Sequence, residues 1–86
     1  MNQAITYFAV IDDQASIDDP AGIVRRVRSG SRGFHDEALG RGLSWQFTPL
    51  IVEWERAEAT DDLVEVSEAE AERIIERLRQ RWSAPG

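Results

Sequence analysis

Residues 4–11 read Ala-Ile-Thr-Tyr-Phe-Ala-Val-Ile, and the way this stretch is covered decides the fold. Its β-branched and aromatic content is that of a strand. Strand side chains alternate between two faces, so Ile5, Tyr7, Ala9 and Ile11 share one and Ala4, Thr6, Phe8 and Val10 the other. Both faces are mostly apolar. Such a strand is either central, with a layer on each side, or it offers one face to a partner.

Downstream, paired aspartates at 12–13 and 18–19, then Pro20 and Gly22, mark a loop. It lacks the alternating ligands and closing glutamate of an EF-hand, which leaves a solvated turn as its reading. Ile23 to Ser29 is expected to pair back on the first strand. It sets Val24, Arg26 and Arg28 against Ile23, Arg25 and Val27. Residues 29–33 form a glycine-rich turn. From Phe34 to Gly42 the pattern is weak, consistent with a single turn or an irregular strand. In 43–47, Leu43, Trp45 and Phe47 alternate with Ser44 and Gln46, which predicts a third strand with one buried face.

Thr48-Pro49 follows as N-cap and first helical residue. Leu50, Ile51, Trp54 and Ala57 then fall on one helical stripe, and a helix is preferred to the competing strand through Val52 and Trp54. Residues 58–62 are an acidic loop, and Leu63 to Val66 a short extended lead-in. Ser67-Glu-Ala-Glu70 matches a capping box. Ala71, Ile74, Ile75, Leu78 and Trp82 continue as a single apolar stripe. Glutamates crowd the first turn of this segment and arginines its last, each complementing the helix dipole. The expected architecture is one α+β domain over residues 1–86: a small three-stranded antiparallel sheet, then a short helix and a longer C-terminal amphipathic helix, both packed on one face.

A chain of 86 residues buries only about 60–65% of its unfolded surface, which leaves little volume for a catalytic cavity. With 42% hydrophobic and 30% charged residues it has globular composition. No cysteine is present, so disulfides and thiolate metal sites are excluded, and a reducing, cytoplasmic location is expected. There is neither a signal-peptide pattern nor a run of about 18–20 apolar residues to span a membrane. No metal or cofactor motif is read.

The net charge of −6 opposes general affinity for nucleic acid or acidic lipid. Its distribution is uneven. Arg25, Arg26, Arg28 and Arg32 lie within 22–35 without an acid, whereas residues 53–72 hold nine carboxylates against Arg56. The basic hairpin suits phosphate or an acidic protein surface, since arginine offers a bidentate fork to either. The two charge blocks equally suit attraction within the fold or between subunits.

His35 with Asp36 or Glu37 has acid–base character, but a lone histidine lacks the partners of a metal site or a nucleophile pair. Trp82, near the end of the last helix, is the tryptophan best placed for an interface, and Phe8 offers the second apolar face of the first strand. The function expected is that of a non-catalytic protein-interaction or accessory module, binding an unidentified protein or itself as a homodimer. The alternatives are weak nucleic-acid contact through the Arg25–Arg32 hairpin, and an inhibitor whose acidic surface mimics DNA.

Overall fold

Strand β1, Ala4–Ile11, lies inside a sheet and carries a helix on each face. The computed structural model describes residues 4–31 and 33–83. After β1 the chain forms β2 (Gly22–Arg28), β3 (Phe34–Leu39), β4 (Trp45–Phe47), α1 (Leu50–Glu55), β5 (Asp62–Val66) and α2 (Glu68–Ser83). The strands make one antiparallel sheet in the order β4-β3-β2-β1-β5.

The three-stranded expectation is therefore corrected to five strands among the described residues. The additional strands are β3 and β5. In β3, Asp36 and Glu37 interrupt the apolar alternation, yet each is opposite an arginine of β2: Arg26 faces Asp36 and Arg25 faces Glu37. Opposite charges across a ladder stabilise pairing that hydrophobic pattern alone does not reveal. In β5, Leu63 and Val66 are buried on opposite faces, so the strand lacks the one-sided pattern that would mark it.

The expectation of two helices on one face is corrected as well. On one face Ile51 of α1 is fully buried with Val10, Val24 and Leu63, flanked by Phe8, Leu50 and Trp54. On the other, Ala71, Ile74 and Leu78 of α2 pack on Ala9, Ile23, Leu39 and Val66. Each buried aliphatic side chain contributes about 1.5–3 kcal/mol. Since both faces of β1 are apolar, a layer on one side alone would leave Phe8 and Val10 or Ala9 and Ile11 in water.

The capping box closes as its spacing implies. Ser67 Oγ accepts from the Glu70 N–H at 3.1 Å, and Glu70 Oε1 accepts from the Ser67 N–H at 3.3 Å. At the start of α1, Thr48 Oγ1 accepts from the Leu50 N–H at 3.2 Å, and Pro49 precedes the helix instead of opening it. Its far end is a Schellman arrangement: the Ala57 N–H reaches Trp54 O at 3.0 Å and the Glu58 N–H reaches Glu53 O at 2.7 Å. Ala57 occupies the left-handed region at φ 60° to make this turn.

The basic end of α2 fastens the aspartate loop. Arg77 Nη1 donates to Asp18 O at 2.6 Å, and Arg81 donates to Pro20 O and pairs with Asp19. Among the described residues no helix is long and apolar enough to cross a membrane.

Candidate functional site

Two of the candidate arginines are engaged inside the fold. Arg26 is 5% exposed and Asp36 3% exposed. Arg26 Nε donates to Asp36 Oδ1 at 2.8 Å and Nη2 to Oδ2 at 2.9 Å, while Nη1 reaches Glu55 of α1 at 2.9 Å. The Arg26 guanidinium also lies 3.8 Å over the Phe34 ring. The hydrogen bond to Asp36 raises the affinity of Arg26 for its proton above the ordinary arginine value, against the opposing effect of burial. On the opposite face Arg25 pairs with Glu37 at 2.8 Å and stacks 4.0 Å over Trp45. Arg28 is exposed and makes no ion pair among the described residues; it lies 5.9 Å from Phe34. Arg32 lies outside the described residues.

The acid–base candidates do not converge. His35 is 53% exposed, with Nε2 3.6 Å from Glu37, whose carboxylate is already held by Arg25. Asp36 projects from the other face, into the Arg26 pair. No group of three or more His, Cys, Asp or Glu residues able to hold a metal ion occurs among the described residues. In the acidic block, Glu55 serves Arg26, Asp62 accepts from Trp54 Nε1 at 3.0 Å, and Glu70 caps α2.

Phe8 is half-buried beneath α1, its ring 6.1 Å from that of Trp54. Trp82 is half-buried against the α2-side core and turns its remaining surface to a groove of about 450 Å³ shared with Arg41, Arg81 and Asp12.

The residue that sequence reasoning missed is Phe47. The alternation predicts Leu43, Trp45 and Phe47 on a buried face, but Phe47 is 80% exposed, Leu43 is exposed as well and Trp45 is half-buried. The cause is the path of α2, which packs on β1 and β2 and leaves the β4 side of this face open. Tyr7 and Trp45, with ring centroids 6.3 Å apart, and the Arg25 guanidinium on Trp45 form a partly exposed platform beside Phe47. Tryptophan, tyrosine and arginine are the residue types that dominate protein-interface energetics.

The backbone of this edge is also available. Gly40 N–H donates to Ser44 O at 3.0 Å and Thr48 N–H to Asp36 O at 3.1 Å. Both bonds turn even-numbered residues of 44–48 toward β3. In an antiparallel ladder the intervening residues, Trp45 and Phe47, then direct N–H and C=O away from the sheet. Natural edge strands are usually guarded by charge or proline. At β5 the guard is visible in Asp62 and Glu65; β4 carries no charged side chain. No family model, curated protein or solved structure matches the chain.

Proposed function

We propose that the chain is a non-catalytic protein-interaction module whose contact surface is the β4 edge. The observation that carries this reading is the 80% exposure of Phe47 on an uncharged edge strand. A phenylalanine there costs solubility in the isolated molecule, and a partner that covers it removes that cost. Trp45, Tyr7 and Arg25 extend the contact surface. The module works in the cytoplasm, a location that suits a cysteine-free chain.

The nucleic-acid reading is weaker. It retains Arg28 beside Phe34, but Arg25 and Arg26 are committed to Glu37, Asp36 and Glu55. The test compares affinity capture by the wild type and by Phe47→Arg, with folding checked by circular dichroism. A partner retained by the wild type and lost by the folded variant supports the module. Equal retention by both removes the β4 edge from the interaction, and salt-labile nucleic acid as the only retained material favours the alternative.

A further inference from the structure

We infer that the occupant of the β4 edge is a second copy of this chain, paired antiparallel about Gln46 to join two sheets into one. This rests on the module reading above and adds the identity of the partner. The backbone phase supplies the first argument. Trp45 and Phe47 present outward N–H and C=O groups, as deduced from the Gly40–Ser44 and Asp36–Thr48 bonds. With Gln46 on the two-fold axis, Trp45 falls opposite the partner's Phe47 and Phe47 opposite the partner's Trp45. Both of these are then hydrogen-bonded pairs, satisfying all four outward groups of each copy. A register shifted by one residue would set an outward-facing group against an inward-facing one.

Side chains agree with that register. Trp45 and Phe47 share a sheet face, so each copy lays its exposed phenylalanine against the partner's tryptophan. Aromatic cross-strand pairs are among the favourable ones. Pro49 ends the available edge on one side and the Gly40–Ser44 turn on the other, which limits the occupant to a similarly short strand.

Charge distribution points the same way. The carboxylate-rich β5 and the first turn of α2 belong to the opposite side of the sheet from β4. Glu37, the nearest acid in β3, is neutralised by Arg25. Pairing through β4 therefore places the acidic regions of two net-negative copies as far apart as the sheet allows, whereas pairing through β5 would bring them together. The route is also open: α1 leaves the β4 edge and crosses the sheet to β5, where Trp54 bonds Asp62.

The experiment uses the absence of cysteine. Gln46→Cys puts a single thiol on the proposed axis, where non-hydrogen-bonded Cα atoms lie about 4.5 Å apart, within the roughly 4.4–6.8 Å span of a disulfide. Mild oxidation should convert Gln46→Cys to a covalent dimer about tenfold or more faster than Glu65→Cys on β5, and adding Phe47→Arg should abolish the difference. In sedimentation of the otherwise unchanged chain, Phe47→Arg should weaken self-association about 10–100-fold, the loss expected when an aromatic anchor is removed. Equal cross-linking of Gln46→Cys and Glu65→Cys overturns the assignment. If that occurs while Phe47→Arg still abolishes capture of a different protein, the second copy is wrong and the module reading stands; if capture is also unaffected, both fail.

Discussion

Arg26 and Asp36 face each other directly across the β2–β3 ladder and meet through two parallel hydrogen bonds, of 2.8 and 2.9 Å, with both side chains almost wholly removed from water. Their position commits Arg26 of the basic hairpin to the interior of the fold. It also makes the pair a point of fragility. A buried ion pair contributes little net stability when intact, but removing one member leaves the other charge desolvated.

Asp36→Ala should therefore cost about 3–5 kcal/mol, a large part of the roughly 4–13 kcal/mol expected for a domain of this length. Replacing both members, Arg26→Met with Asp36→Leu, should recover most of it. Urea unfolding followed by tryptophan fluorescence checks this. A loss below about 1 kcal/mol for Asp36→Ala would mean that water or Glu55 alone sustains Arg26.

Ala57 holds a left-handed conformation that glycine adopts without the Cβ clash. Ala57→Gly should raise stability by about 0.5–1 kcal/mol. Ala59→Gly in the same loop should give no gain. Denaturant midpoints of the two variants decide whether the Schellman turn carries that strain.

Ser67→Ala should cost about 1 kcal/mol by leaving the Glu70 N–H without its cap, while Ser67→Asp should preserve most of the stability. Thermal unfolding of the three proteins measures the difference. Equal midpoints would show that α2 is held by its apolar stripe alone.

Trp82 packs against Leu78 and its neighbours in the α2-side core while leaving part of its ring in the groove beside Arg81. Trp82→Ala should lower stability by about 1–3 kcal/mol, the half-buried share of the ~3–5 kcal/mol cost of deleting a buried aromatic. Self-association should be unchanged by sedimentation once folding is allowed for. Weakened association in a variant of unaltered stability would move the interface from β4 to this groove.

The elements legible in the sequence are those whose signals are local. The Ser67–Glu70 box and the Ala71–Leu78 stripe specify α2 by hydrogen bonds and periodicity within one segment. The two apolar faces of Ala4–Ile11 require two covering layers or a partner, but nothing local to α1 or α2 shows that the helices divide between those faces. What stayed hidden depends on partners distant in the chain. Asp36 and Glu37 look like loop acids until Arg26 and Arg25 are set opposite them. Phe47 looks buried because alternation identifies a face but not how far a helix extends over it. The outward phase of the Trp45 and Phe47 backbone exists only in the ladder itself.

Amide hydrogen exchange along β4, measured by NMR at increasing protein concentration, reads the pairing of two copies at this edge residue by residue. Gln46 and Thr48 donate into the sheet and should be protected at every concentration, whereas the Trp45 and Phe47 amides should gain protection as two copies pair. The Phe47→Arg variant should leave the residue-45 and residue-47 amides fast throughout. Trp45 and Phe47 amides that exchange rapidly in the wild type at all concentrations would contradict pairing at this edge.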